Sequence, residues 1–144
     1  ASFAEQDGAI VAGVTDEQKS ESGAISAKYS AGAFTVGFGK GWIAPRLADG
    51  TSAGATTVES YENTNISIGV VVNDNLSISI SDETSEPTYM TSSTTAYDQE
   101  TQSIQAAYTM GGMTLALART NYDNVGYVSA ADVTETILSV SMAF

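Results

Sequence analysis

The chain has 144 residues, enough for one domain, and no stretch reads as an interdomain linker. It contains no Cys and no His, which removes disulfides, thiolate and imidazole metal sites, and every nucleophile that depends on an imidazole base. Lys and Arg number 5 against 17 Asp and Glu, a formal charge of −12 that repels nucleic acid, whose binding requires basic residues to neutralise phosphates.

Only 15% of residues are charged, while Ser, Thr, Asn and Gly are abundant. Mean hydropathy is −0.02. No apolar run approaches the roughly 18 residues of a membrane-spanning helix. That criterion concerns helices, whereas the periodicity of this chain is two residues throughout. Position 1 is Ala and no basic, apolar leader precedes it, so a leader has been removed or the chain is a fragment.

In chain order, weak strands are expected at 9–15, 23–30 and 33–42, the first of them apolar on both faces. Stronger ones follow. At 65–72, Ile66, Ile68, Val70 and Val72 share one side, opposite Asn65, Ser67, Gly69 and Val71. At 76–81, Leu76, Ile78 and Ile80 face away from Ser77, Ser79 and Ser81. Ile104, Ala106, Tyr108 and Met110 oppose Ser103, Gln105, Ala107 and Thr109. A strand at 113–120 and the terminal one at 133–144 bring the number to about eight, each with one greasy face.

The connections alternate in length. Ser30-Ala31-Gly32, Asn73-Asp74-Asn75 and Gly111-Gly112 are tight hairpin turns of residues that tolerate positive φ. Between them lie longer polar segments at 16–22, 44–62, 82–99 and 121–132. In an up-and-down meander every short turn then falls on one rim and every long loop on the other. That asymmetry is the one found in bacterial outer-membrane barrels, which have short periplasmic turns and long external loops.

Aromatic residues indicate which way the greasy face points. Tyr29, Phe34, Tyr108 and Phe144 cluster at the short-turn rim, as an interfacial girdle does. Trp42, with Tyr61, Tyr89, Tyr97, Tyr122 and Tyr127, lies at or beyond the long-loop ends and suggests a second girdle. The expected fold is therefore all-β: an antiparallel up-and-down transmembrane β-barrel forming a single unit over 1–144. A strand tucked into a soluble sandwich is the competing placement for the last segment.

The opposite faces are small and mostly neutral, as suits a wall bordering water. Ser67, Ser77, Ser79, Ser81, Ser103, Gln105, Ser139 and Ser141 are the candidate pore-lining residues, with Lys28 and Glu135 as the ionisable ones. An eight-stranded barrel fills its interior with side chains, and these are too small to do so. A wall section of a wider barrel of about 16 strands is expected instead, the missing strands coming from an absent N-terminal half or from another copy of the chain.

At "NISIGVVVNDNLSISIS" (65–81), at "SIQAAYTMGGMTLAL" (103–117) and at the terminal Phe144, the chain resembles the C-terminal half of Gram-negative general porins of the alphaproteobacterial type. The resemblance implies a 16-stranded, homotrimeric outer-membrane barrel that passes small hydrophilic solutes by passive diffusion. It also implies that Val140, Met142 and Phe144 form the signal read by the barrel-assembly machinery. The family's inward-folded constriction loop belongs to the N-terminal half, and no equivalent is evident in this chain.

Lys40 and Arg119 depart from the pattern, since alternation puts both on the lipid side. They could meet lipopolysaccharide phosphates, lie at a subunit contact, or be turned inward by a bulge in the case of Lys40, unless the strand register there departs from the one alternation gives. Most acidic residues fall in the long segments, which suggests a negative vestibule with a mild cation preference, bridged to lipopolysaccharide by Ca²⁺ or Mg²⁺. Ordinary solvated loops explain them equally. Asp82, Glu83 and Glu86 are weak candidates for a hard cation, without EF-hand spacing.

No enzyme is expected, because no serine sits in a recognisable nucleophile setting. The alternative function is a secreted or surface β-protein that assembles through its strand edges into a fibre or layer.

Overall fold

A computed structural model describes residues 1–6, 20–45, 57–90 and 94–143. They form one sheet of eight antiparallel strands in sequence order: β1 (Ser2–Gln6), β2 (Ser20–Ala31), β3 (Phe34–Ala44), β4 (Val58–Val71), β5 (Leu76–Tyr89), β6 (Gln99–Met110), β7 (Met113–Asp123) and β8 (Val133–Met142). Every strand pairs only with its chain neighbours, so the expected up-and-down meander is present. Among the described residues β1 and β8 do not pair, and the sheet is open, without closing into a barrel of its own.

The three hairpin turns form where they are expected. Gly32 and Gly111 take φ of +58° and +61°, a left-handed conformation that costs glycine little. At the middle turn the Asn73 side chain accepts hydrogen bonds from the amides of Asn75 and Leu76 at 2.9 and 3.0 Å, closing an Asx-type turn.

The strands extend well past the sequence-based bounds at the long-loop rim. Segment 82–99 is not a loop over its first eight residues, because β5 continues to Tyr89 and pairs with β4 and, as far as Ser85, with β6. Likewise β4 begins at Val58, and β7 continues to Asp123. In these extensions both faces are polar, so the backbone ladder persists where the alternation that reveals a strand has stopped. The first strand is Ser2–Gln6, paired with β2, and was not expected. The strand expected at 9–15 lies outside the described residues, as does Phe144.

Apart from Pro87, no apolar side chain is buried among the described residues. The described residues form no second layer. Among them no helix is long and apolar enough to cross a membrane, a statement that has no bearing on strands.

Candidate functional site: an apolar belt and a polar concave wall

Register assigns each side chain to one of two faces. Tyr29, Val36, Ile68, Ile80 and Ile104 are successive partners across five strands and share one face. Lys28, Gly37, Ser67, Ser81 and Ser103 are the corresponding set on the other. All ten candidate pore-lining residues, Lys28, Ser67, Ser77, Ser79, Ser81, Ser103, Gln105, Glu135, Ser139 and Ser141, fall on this second face.

The second face is concave. Thr35 on β3, Ser79 on β5, Gln105 on β6 and Ser139 on β8 jointly border a hollow of about 310 Å³. Lys28, Ser67 and Ser81 border another of about 530 Å³. Hydroxyl pairs tie adjacent strands along it: Ser30 with Thr35 at 3.0 Å, Thr109 with Thr114 at 3.0 Å, and Thr120 donating to Ser103 at 3.1 Å. Gly37 lets the strands approach closely there, since a Cβ would stand 2.5 Å from the Ser67 hydroxyl and force it to rotate away. Ile137 is an apolar exception on this side.

The convex face carries the greasy residues in the open: Tyr29 is 72% exposed, Ile68 48% and Leu138 66%. Their arrangement is more regular than alternation alone requires. Going away from the short turns, and with Trp42 and Ala44 at the far end of β3 set aside, the last apolar outward residue on each strand is Phe3, Ile25, Phe38, Ile66, Ile80, Ile104, Leu117 and Leu138 for β1 to β8. Phe38 pairs with Ile66, Ile80 with Ile104, and Leu117 with Leu138. At the other four steps the partner of one boundary residue lies two positions beyond the next: Phe3 faces Gly23, Ile25 faces Lys40, Ile66 faces Asp82 and Ile104 faces Arg119.

The boundary thus falls eight residues in seven steps, always in the same direction. The short turns step down in parallel, from the Ala31–Phe34 pair to the Met110–Met113 pair, which lies four residues further along the register. With about 3.3 Å per residue and about 4.8 Å between strands, the belt is level only if the strands lean about 40° from its normal. Strands of membrane barrels lean by roughly 35–45°.

Tyr29, Phe34 and Tyr108 all stand on the convex face at the short-turn rim, in the positions expected of a girdle. Trp42 joins them on that face at the far rim, lying over Gly23 with its ring 6.2 Å from that of Phe3. Three other aromatics of the far rim do not: Tyr61, Tyr89 and Tyr122 are on the concave side, so of these four only Trp42 stands where the expected second girdle would need it. Their parity in the strands could not be counted while those stretches read as loops.

A Cβ on residue 23 would stand 2.9 Å from the Trp42 indole nitrogen. Gly23→Val is therefore expected to push the sole Trp off β2 and to destabilise the sheet by about 1–3 kcal/mol, as overpacking does. A shift in Trp emission together with a denaturant titration measures both effects.

Lys40 and Arg119 occupy the first outward positions beyond the belt, on a collar shared with Thr64, Asp82, Gln102 and Thr136. Lys40 is ion-paired with Glu62 on the same face, so no inward bulge is needed. Further out, carboxylates stand directly opposite one another, Glu62 against Glu86 and Glu100 against Asp123. Asp82 and Glu86 point outward and Glu83 inward, which separates the weak cation candidates onto opposite faces. Among the described residues no group of three or more His, Cys, Asp or Glu is placed to hold a metal. Glu100→Gln removes a like-charge pair and is expected to stabilise the sheet by about 0.2–1 kcal/mol in low salt, read from the urea midpoint.

One element escaped the sequence reading. The β7–β8 connection folds back across the concave face as a strap. Asn124, at φ +53°, turns the chain, and its side chain accepts from the Ala130 amide at 3.1 Å and donates to the Asp98 carbonyl at 3.0 Å. A single 3-10 turn, Val125–Tyr127, follows, and the Gly126 amide donates to the Gln99 side chain at 2.9 Å. Tyr127 then reaches β5 and β4, its hydroxyl 2.9 Å from that of Ser85 and its ring 5.2 Å from Tyr61. Ser85 beneath it is 8% exposed, one of the few buried residues in the sheet. Tyr127 and Ala130 hold φ of +63° and +57° without being glycine, at about 1–2 kcal/mol each. The only advance signal was the Asn124-Val125-Gly126 sequence, in which two residues tolerate that conformation.

No family model, curated protein or solved structure matches the chain.

Proposed function

We propose that the chain is a wall section of a porin-type β-barrel of the bacterial outer membrane, through which small hydrophilic solutes and ions diffuse passively with a mild cation preference. The reading is carried by the level apolar belt on a sheet that has no buried apolar core. An apolar face this large is not left in water by a monomer. A soluble sandwich also covers its apolar face, but nothing in that architecture requires the apolar boundary to slide by one residue per strand. A slab of hydrocarbon crossed by leaning strands does require it.

The belt is about 15–20 Å tall, and the collar row adds about 5 Å where the Lys40 and Arg119 stems snorkel outward. That approaches the roughly 25 Å apolar band of outer-membrane barrels. On this reading the concave side borders the aqueous lumen. The 16-strand closure, a homotrimer, delivery by the barrel-assembly machinery through Val140, Met142 and Phe144, and Ca²⁺ or Mg²⁺ bridges between the outward carboxylates and lipopolysaccharide belong to the same proposal. A transport wall has no catalytic residue to supply, so an enzymatic role forms no part of it.

Purified protein added to a planar lipid bilayer is expected to give stepwise ion conductance and to migrate differently on gels before and after heating. A chain that stays monomeric and soluble without detergent would contradict the proposal. The open edges of β1 and β8 favour a second reading, a surface β-protein that assembles edge to edge into a fibre or layer. Electron microscopy showing fibres with no bilayer conductance would establish it instead.

A further inference from the structure

We infer that the β7–β8 connection is a latched strap that narrows the long-loop end of the lumen, with Tyr127 as the latch. The inference rests on the channel reading above.

The strap's anchors lie on three different strands. Gln99 opens β6, Ser85 is on β5 and Tyr61 is on β4, and all three belong to the concave face. From the end of β7 the strap therefore leans over β6, and its Tyr127 side chain reaches on to β5 and β4. Its two contacts with the far wall, the Tyr127–Ser85 hydrogen bond and the Tyr127–Tyr61 ring pair, join residues distant in sequence and are made by one side chain. The remaining bonds of the strap, through Asn124, Asp132 and Gln99, are local to its base.

This division makes Tyr127 a release point. The positive-φ backbone at Tyr127 relaxes when nothing holds the tip down, whereas the base, including Ala130 bonded to the Asn124 side chain, remains in place. The strap then has two positions, tip on the wall or tip swung outward, and the lumen end is wider in the second. The covered surface agrees, since Ser85 and Pro87 are two of the three buried residues among those described, the third being Ser103.

The test uses the full chain reconstituted in planar bilayers, with two variants. Tyr127→Ala removes ring and hydroxyl; Tyr127→Phe removes the hydroxyl alone and keeps the packing that folding needs. Single-channel conductance is expected to roughly double in Tyr127→Ala and to rise less in Tyr127→Phe. Limited proteolysis followed by mass spectrometry is expected to cut within 124–132 several times faster in both variants than in the parent, whether or not either conducts. A conducting parent with unchanged conductance and unchanged cleavage in Tyr127→Phe overturns the strap and leaves the channel standing. A parent that never conducts overturns the channel reading and the strap's role with it.

Discussion

Ile68→Arg is expected to abolish assembly into a lipid bilayer, while Ser67→Arg, one residue away, is expected to leave assembly intact. Ile68 sits in the middle of the belt on β4, with Ile66 on one side and Val70 on the other, and its side chain is open on the convex face. A cation at the midplane of a barrel's lipid face costs about 2–4 kcal/mol. An eight-stranded wall with no apolar core has little else to offset that loss. Ser67 points into the concave side, where a guanidinium stays hydrated. Folding yield into vesicles, read by resistance to protease and by heat-modifiable migration, separates the two variants. Equal yields would mean that the convex face does not meet hydrocarbon.

The second large effect concerns selectivity. Ser79 and Ser139 both border the hollow of about 310 Å³, on β5 and β8. Replacing both with Lys places two cations across one section of the lumen, in a chain whose formal charge is −12. Two added charges acting over a few ångströms in a polar environment shift the relative free energies of permeating ions by about 1 kcal/mol, which lowers the cation-to-anion permeability ratio roughly fivefold. The reversal potential across a salt gradient measures that ratio directly. An unchanged reversal potential in a conducting double variant would place the ion path elsewhere.

The parts of this architecture that were legible in the sequence are those that touch the belt. Leu76-Ser77-Ile78-Ser79-Ile80-Ser81 can be read as a strand because its outward side must be apolar and its inward side need not be. Five residues on, Ser85, Glu86 and Pro87 are still strand, yet neither face is apolar and the signal vanishes. The same limit hid the upper parts of β4 and β7 and the concave parity of Tyr61 and Tyr122. Parity also explains the concave site, because ten small or polar residues could be placed on one face by counting in twos from the greasy ones. The slope of the belt needed register, which sequence does not supply. The strap needed tertiary contact, since what distinguishes Tyr127 is a partner 42 residues away on another strand.

Side-chain surroundings along β4 test the central claim most directly. The chain has no Cys, so single cysteines at positions 65 to 70 can each carry a spin label after reconstitution into bilayers. Collision rates with oxygen, which concentrates in lipid, are expected to peak at 66, 68 and 70, and those with a water-soluble nickel chelate at 65, 67 and 69, fully out of phase. If labels at 66, 68 and 70 are shielded from both reagents, protein and not hydrocarbon covers the belt, and the channel wall is contradicted.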